Sequence, residues 1–243
     1  MLEIDLIRHV KVDGKPALYG CTDVTPIASE NARLLESLIS QQQTNKAYQS
    51  IVCSPLTRCQ FLAKEFSRRC DLPLEISPNL QEMNFGRFDG IAFDDLYFED
   101  CFFEGNSVKN EQHHKVKTEL HWSQLEAFFQ APAEIVLPGA EALSDFNHRV
   151  VKAWQDLIAE QVTIVTKKKE SAIAKRILVV AHGGVIRMIL AHILQLDWQK
   201  ASWHQKLQIG HGSMSRIIIS QPYQYEQLHQ QVTSIAMPFL EEL

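Results

Sequence analysis

The hydrophobic pattern of the chain changes repeatedly between the two-residue period of strands and the longer period of helices. Leu2, Ile4 and Leu6 alternate with acidic residues, which predicts a first strand. Ser54 and Pro55, after a second strand, are residue types favoured at the N-cap and first position of a helix. In total we predict strands over residues 2–7, 50–53, 74–76, 177–181, 217–219 and 232–235, and helices over residues 27–43, 55–69, 141–161 and 185–194.

The order of these elements predicts the fold class. Residues 177–181 are apolar at every position, which is typical of a central parallel strand buried on both faces. Strands that alternate with helices predict a layered α/β domain with a mostly parallel sheet. Two polar segments, about 105–120 and 163–175, break the pattern, and we expect them to be loop insertions in a single domain spanning residues 1–243.

Composition narrows the possible partners. The chain has 243 residues, with 24 Lys and Arg against 29 Asp and Glu, a net charge of −5. This balance is unlike the basic surface of nucleic-acid or anionic-membrane binders, so we expect neither partner, and an anionic ligand would need a local cluster of cations. Residues 177–196 are interrupted by polar groups, and the N-terminus lacks the basic region of a secretory signal. We therefore expect a cytoplasmic protein.

Cationic side chains follow three of the predicted strands. Arg8 and His9 follow the first strand, Arg58 lies near the start of the next helix, and His182 follows the central strand. Because the carboxyl ends of parallel strands meet at one edge of a sheet, these residues can converge. An arginine in a first helical turn opposes the helix dipole, and a bound anion would resolve that conflict. The alternatives are a surface position for Arg58 and structural roles for the histidines.

Two arginines and two histidines form a set suited to phosphate. Arginine donors match phosphate oxygens, and a neutral imidazole can attack phosphorus to form a covalent intermediate. A proton donor for the leaving group is also needed. Glu82, in the glycine-punctuated aromatic loop 80–90, is the candidate, although it could be an ordinary loop acid.

Four segments carry a family resemblance. In order along the chain, they are Leu-Ile-Arg-His at 6–9, Cys-Ser-Pro-Leu-Thr-Arg at 53–58, Glu-Met-x-x-Gly at 82–86 and Ala-His-Gly-Gly-Val at 181–185. Together they resemble the signature of the histidine phosphatase (phosphoglycerate mutase-like) superfamily. Within it, residues 20–23, 80–90 and 182–187 look closest to the bacterial α-ribazole phosphatase branch.

The resemblance implies a fold, a mechanism and a substrate. The fold would be a three-layer sandwich with helices on both faces of the sheet. His9 would become phosphohistidine, Glu82 would protonate the leaving alcohol, and the phosphate oxygens would be held by Arg8, Arg58 and His182. No metal or other cofactor is implied. The expected substrate is a small phosphomonoester, α-ribazole 5′-phosphate of cobalamin biosynthesis, hydrolysed by a monomer or homodimer.

The chain departs from the family pattern beside the nucleophile. Val10 stands where the family has glycine, which would be costly if the position requires positive φ. Val12 and Lys15 replace two polar residues that help to hold phosphate. We predict that Lys15 supplies a cation to the substrate instead, and that Gly20 is a further substrate-binding residue.

Several alternatives stay open. The enzyme could be a broad-specificity phosphatase or a phosphoglycerate mutase-like enzyme, or a catalytically impaired protein that only binds phosphate ligands. A cysteine-based phosphatase is disfavoured because four residues, not five, separate Cys53 from Arg58. His113, His114 and His121 are expected in a solvated segment and not as metal ligands. Substrate recognition is expected between residues 91 and 138, where Trp122, Phe128 and Phe129 could form either a lid or core.

Overall fold

A computed structural model describes residues 1–44, 47–96, 121–168, 175–220 and 228–239. The strands are β1 (Leu2–Arg8), β2 (Ser50–Cys53), β3 (Leu74–Ile76), β4 (Lys175–Ala181), β5 (Ser213–Ser220) and β6 (His229–Pro238). The helices are α1 (Ala28–Gln42), α2 (Thr57–Cys70), α3 (Trp122–Gln130), α4 (Leu143–Lys168), α5 (Gly183–Leu194) and α6 (Ala201–Lys206). Every predicted strand is present, and α3 and α6 are additions.

The strands of the described ranges form one sheet in the order β3-β2-β4-β1-β5-β6. The first four of these run parallel to one another, whereas β5 pairs antiparallel with β1 and β6 antiparallel with β5. The prediction of a mostly parallel sheet is confirmed.

Successive side chains of the strands enter two different cores. Leu6 and Val179 belong to one hydrophobic cluster together with side chains of α3, α4 and α5. Ile7 and Val180, one residue further on, belong to a second cluster with side chains of α1 and α2. Since adjacent strand residues point to opposite faces, the sheet has helices on both sides, and the predicted three-layer sandwich is confirmed.

The position of β4 at the centre of the sheet fixes the place of the functional residues. Its register pairs Ala181 with Arg8 of β1 and Val180 with Cys53 of β2. The residues that follow these three strands therefore lie side by side at one sheet edge.

The start of α2 differs from the prediction. The helix begins at Thr57, and the carboxylate of Asp23 accepts hydrogen bonds from the Thr57 backbone N–H (2.7 Å) and hydroxyl. Ser54 is therefore not the N-cap; its hydroxyl lies 2.7 Å from Nε2 of His182. The group that caps this helix is distant in sequence and so was invisible to a local pattern.

The predicted insertions fare differently. The loop expected over 163–175 is wrong at its start, because α4 continues to Lys168 through residues that include no glycine or proline. Residues 169–174 and the expected insertion at 105–120 lie outside the described residues. A single domain over residues 1–243 stays a prediction. None of the helices described has the length and apolar character needed to cross a membrane.

A buried ionic cluster lies on β1, towards the edge opposite that of His9. Asp5 is fully buried and accepts hydrogen bonds from Arg176 Nη2 (2.6 Å), Arg216 Nε (2.8 Å) and the Tyr48 hydroxyl (2.7 Å). Burial, and then the Asp5 carboxylate, raise the pKa of Tyr48 well above its usual value, so this phenol stays protonated. Arg176 and Arg216 also pair with Glu3, at 2.7 and 3.2 Å, but Glu3 is partly exposed. Removing the Asp5 carboxylate would therefore take away the fully buried counter-ion of both guanidinium groups.

We expect Asp5→Ala to lower the free energy of unfolding by about 3–5 kcal/mol, the usual cost of breaking a buried ion pair. Urea unfolding followed by circular dichroism measures this change. Lys152→Met, which removes a 2.6 Å pair with Asp156 on the exposed surface of α4, is the matched control and should cost less than about 1 kcal/mol. Equal losses of unfolding free energy in Asp5→Ala and Lys152→Met would contradict a stabilising role for the buried ionic cluster.

Candidate active site

The sheet edge beyond β1 and β4 brings the four predicted cationic side chains together. The ring centroids of His9 and His182 lie 5.1 Å apart, and Nε of Arg58 donates a hydrogen bond to Nδ1 of His182 (3.2 Å). The charges of Arg8 and Arg58 both act on His9. The convergence expected from the strand ends is therefore present.

The surroundings of His9 favour a neutral imidazole with one unprotonated ring nitrogen. Its side chain is buried, and Nδ1 lies 2.7 Å from the carbonyl oxygen of Val10. A carbonyl oxygen only accepts, so Nδ1 carries the proton and Nε2 presents a lone pair. Burial, followed by the charges of Arg58 and Arg8, holds the pKa of His9 well below its usual value, which favours this neutral form at pH 7.

Arg58 is fixed by backbone carbonyl groups, not exposed at the surface. It is 1% exposed, and its guanidinium donates to the carbonyl oxygens of Thr22 (2.9 Å), Tyr19 (2.9 Å) and Gly20 (2.7 Å). With the bond to His182, four of the five guanidinium N–H donors are used. The remaining N–H, on Nη1, has no partner among the described residues and could bind an anion. Gly20 thus contributes to the site by holding Arg58.

Asp89, which the sequence did not single out, organises that carbonyl-bearing loop. Its carboxylate accepts hydrogen bonds from the backbone N–H groups of Gly20 (3.2 Å), Cys21 (2.8 Å), Thr22 (2.8 Å) and Phe85 (3.0 Å). Burial tends to raise the pKa of Asp89, but the hydrogen bonds outweigh it and the pKa is lowered. The only local sequence feature that marks Asp89 is the Asp-Gly pair that it forms with Gly90, directly after Phe88.

His182 is completely buried between β2 and α2. Since Nδ1 accepts from Arg58, Nε2 carries the proton and donates it to the Ser54 hydroxyl at 2.7 Å. Burial, then the proximity of His9 and Arg58, lowers the pKa of His182 well below its usual value. This histidine is both bonded within the structure and adjacent to the nucleophile.

Glu82 lies at the N-terminus of α5. Its carboxylate accepts hydrogen bonds from the N–H groups of Gly184 (3.0 Å) and Met83 (3.1 Å). A Cβ atom at Gly184 would overlap the carboxylate, so only glycine allows this close approach. Glu82 is half-buried, and its carboxylate acts on the charge of Arg8.

Arg8 has donor capacity left for a ligand. Nη1 donates to the carbonyl oxygen of Ile209 (2.5 Å), while Nε is buried and has no partner among the described residues. Burial lowers the pKa of Arg8 to about 10, although the charge of Glu82 acts in the opposite direction. A guanidinium with an unused buried donor is suited to bind phosphate oxygens.

Two further residues of the site were not predicted as site residues. Arg187 lies one helical turn after Gly184 on α5, a spacing that places it on the Glu82 side and could have identified it. It donates only a long bond, 3.4 Å, to the carbonyl oxygen of Leu207, and its Nε has no partner in the described part of the chain. His211, whose ring lies 5.4 Å from that of His9, had no distinguishing local pattern.

An apolar cavity of about 160 Å³ opens beside Glu82 and Arg187. Its walls include Phe128 and Phe129 of α3, which belong to the segment in which substrate recognition is expected. Phe128 also belongs to the core, and Trp122 packs against it. The other lining residues are Leu18, Met83, Phe85, Pro132, Leu143, Phe146, Gly184, Met188, His204 and Gln205.

The departures from the family pattern have mixed outcomes. Val10 is not among the described non-glycine residues with positive φ, and its side chain packs in the core next to α1 and α2. The backbone strain expected from a positive φ at Val10 is therefore absent. Lys15 is exposed, and its backbone carbonyl oxygen accepts a hydrogen bond from the Tyr19 hydroxyl (2.6 Å). A phosphate contact from Lys15 stays a prediction.

The cysteine alternative is disfavoured by the same structure. Cys53 is fully buried, and burial raises the pKa of its thiol to about 12, so a thiolate nucleophile would be scarce at pH 7. Within the described ranges, His, Cys, Asp and Glu side chains form no group of three or more that could hold a metal ion. His113 and His114 lie outside these ranges.

Comparisons with known proteins identify the family. The model of the histidine phosphatase superfamily (branch 1) matches residues 4–101 and 98–229. The adenosylcobalamin/alpha-ribazole phosphatase of Escherichia coli (strain K12) is 26% identical over 222 residues, 90% of each chain. The solved structure of a mycobacterial glucosyl-3-phosphoglycerate phosphatase has a TM-score of 0.70 at 18% identity, covering 97% of this chain and 99% of that one. The alpha-ribazole phosphatase from Shigella flexneri has a TM-score of 0.67 at 20% identity, covering 99% and 100%.

The family match extends over almost all of the sequence and includes Arg8, His9, Arg58, Glu82 and His182. From this match, with the confirmed fold and the convergence of the four motifs, it follows that the chain belongs to the histidine phosphatase superfamily, branch 1.

Proposed function

We propose that the protein hydrolyses phosphomonoesters through a phosphohistidine at His9. The observation that carries the proposal is the state of that imidazole: buried, protonated on Nδ1, and flanked by Arg8 and Arg58, which retain donors for phosphate. Glu82 belongs to the same site, and the effect of its charge on the pKa of Arg8 supports its proposed role as the acid.

In the first step, Nε2 of His9 attacks phosphorus, the ester P–O bond breaks, and Glu82 transfers its proton to the leaving oxygen. In the second, the Glu82 carboxylate takes a proton from water, whose oxygen attacks the phosphohistidine. The P–N bond then breaks and neutral His9 is restored. Arg8 and Arg58 stabilise the charge on the phosphoryl oxygens, so the proposed mechanism requires no metal ion. His182 supports this step by holding Arg58 beside His9, and its own contact with phosphate stays a prediction.

We propose α-ribazole 5′-phosphate, an intermediate of cobalamin biosynthesis, as the substrate. Its aromatic base suits the cavity lined by Phe85, Phe128 and Phe129, which begins at Glu82, where the leaving alcohol must lie. The names of the relatives from Escherichia coli and Shigella flexneri support this choice. A cytoplasmic location belongs to the same proposal.

A broader phosphatase is the second candidate. The solved structure of a phosphatase for a different substrate, glucosyl-3-phosphoglycerate, matches the fold at least as well, with a TM-score of 0.70 against 0.67. The catalytic set specifies a phosphomonoester without specifying its alcohol. A catalytically impaired binding protein is disfavoured, since Val10 introduces no positive φ.

We expect His9→Ala to abolish hydrolysis of p-nitrophenyl phosphate, because it removes the nucleophile, whereas Cys53→Ser should retain the wild-type rate. Release of p-nitrophenolate measures both. Vanadate should inhibit the wild type and EDTA should leave its rate unchanged. Loss of activity in Cys53→Ser with retention in His9→Ala would contradict the histidine mechanism.

The lowered pKa of His9 predicts an unusual titration. An ordinary histidine gains a proton as the pH falls through about 6.5, but His9 should stay neutral through this range, since burial and two arginines oppose the charged form. Long-range ¹⁵N–¹H correlation spectra of the imidazole groups, assigned with His9→Gln, measure this. An His9 imidazole that titrates near pH 6.5 in the unliganded enzyme would contradict the proposed electrostatics.

If the cavity binds an aromatic leaving group, kcat/KM for α-ribazole 5′-phosphate should exceed that for ribose 5-phosphate, and Phe129→Ala should reduce the first about threefold to tenfold while sparing the second. Steady-state phosphate release with both substrates tests this. Comparable kcat/KM values for all phosphomonoesters would instead support the broader phosphatase.

A further inference from the structure

Arg149 of α4 uses all of its donors to hold the segment that carries Glu82. Nε and Nη2 donate to the two carboxylate oxygens of Glu141, at 2.6 and 2.9 Å. Nη1 donates to the carbonyl oxygens of Asn79 (2.9 Å) and Gln81 (2.8 Å), and Nη2 also donates to that of Glu82 (3.1 Å). These are the five N–H groups of a guanidinium, so none is left for a ligand.

The carbonyl groups that Arg149 binds lie in irregular backbone. A 3-10 turn covers Pro78–Leu80, and the chain then extends to Glu82 without belonging to a strand. Carbonyl groups in such a segment have no ladder or helix partners, so a side chain must satisfy them if they are removed from water. Arg149 meets this need at three positions and thereby defines the path of the backbone.

Glu141 extends the same attachment to the other side of Glu82. Its carboxylate accepts from the backbone N–H of Asn84 (3.3 Å), and its own N–H donates to the carbonyl oxygen of Asn84 (2.9 Å). The half-buried Arg149–Glu141 pair therefore forms hydrogen bonds with the loop backbone both before and after Glu82. The guanidinium also lies over the Phe146 ring, 4.9 Å from its centroid, which fixes its plane.

We propose that Arg149 is a positioning residue for Glu82, acting through the backbone of residues 79–82 and not by contact with substrate. The proposal rests on the proposed function, in which Glu82 is the general acid. The Glu82 carboxylate is oriented by the N–H of Gly184, and Arg149 supplies the complementary constraint on its main chain. A lysine would keep the charge but lacks the planar fork that serves five acceptors.

A positioning role for Glu82 has a chemical signature. An alkoxide is a poor leaving group and needs the proton from Glu82, whereas p-nitrophenolate leaves as a stable anion. Misplacing the acid should therefore slow hydrolysis of alkyl esters selectively. The ratio kcat/KM isolates the first chemical step, in which this proton is transferred.

The experiment compares Arg149→Lys, Glu82→Gln and the double variant on ribose 5-phosphate and p-nitrophenyl phosphate, at a temperature where melting curves show each protein folded. We expect Arg149→Lys to lower kcat/KM about 10²-fold for the alkyl ester and less than about fivefold for the aryl ester. Glu82→Gln should show the same selectivity, and adding Arg149→Lys to it should cause little further loss. Lys152→Met, on the same helix, should leave both ratios unchanged.

Equal losses on the two esters in Arg149→Lys would overturn the proposal and assign a purely structural role. Multiplicative losses in the double variant would also overturn it, because the two residues would then act independently. A folded wild type that hydrolyses neither ester would overturn the proposed function itself. That outcome can be distinguished from an active wild type whose Arg149→Lys variant loses activity equally on the two esters.

Discussion

The parallel pairing of β4 between β1 and β2 is the constraint on which the rest of the site depends. The register that sets Ala181 beside Arg8 and Val180 beside Cys53 brings three strand ends to one edge. His9, Ser54 and His182 each follow one of these ends. A shift of any strand by one residue would exchange its two faces and separate the imidazoles.

This convergence concentrates positive charge in a place with little water. Arg58 is buried because loop carbonyl groups accept its hydrogen bonds, and that loop is itself held by Asp89. Burial, followed by the neighbouring charges, lowers the pKa values of His9 and His182. Nε of Arg8 has no partner among the described residues. A phosphate dianion would use these donors and neutralise this field, which explains how an acidic protein of net charge −5 can bind an anionic substrate.

Glu82, the proposed acid, and the apolar cavity next to it are positioned by helices and not by the strand ends. Glu82 reaches the sheet edge from irregular backbone, so its position depends on the N-terminus of α5 and on the Arg149–Glu141 pair of the α4 region. The aromatic cavity begins at the same carboxylate. In the proposed mechanism, phosphate binding would therefore depend on strand register, whereas proton transfer and selection of the alcohol would depend on the helices packed over the sheet.

The sequence by itself determined the order of the six strands and of α1, α2, α4 and α5, and with it the α/β class, because short-range periodicity and turn chemistry are local. It also contained the motifs around Arg8, His9, Arg58, Glu82 and His182, but it did not predict α3 and α6. The tertiary structure decided what depends on distant partners. Asp23 caps α2 from 34 residues away, and Arg149 binds carbonyl groups 67 to 70 residues away. Arg187 and His211 joined the site in the same way. A hydrogen bond between distant segments leaves no period in the sequence, so only the folded chain reveals it.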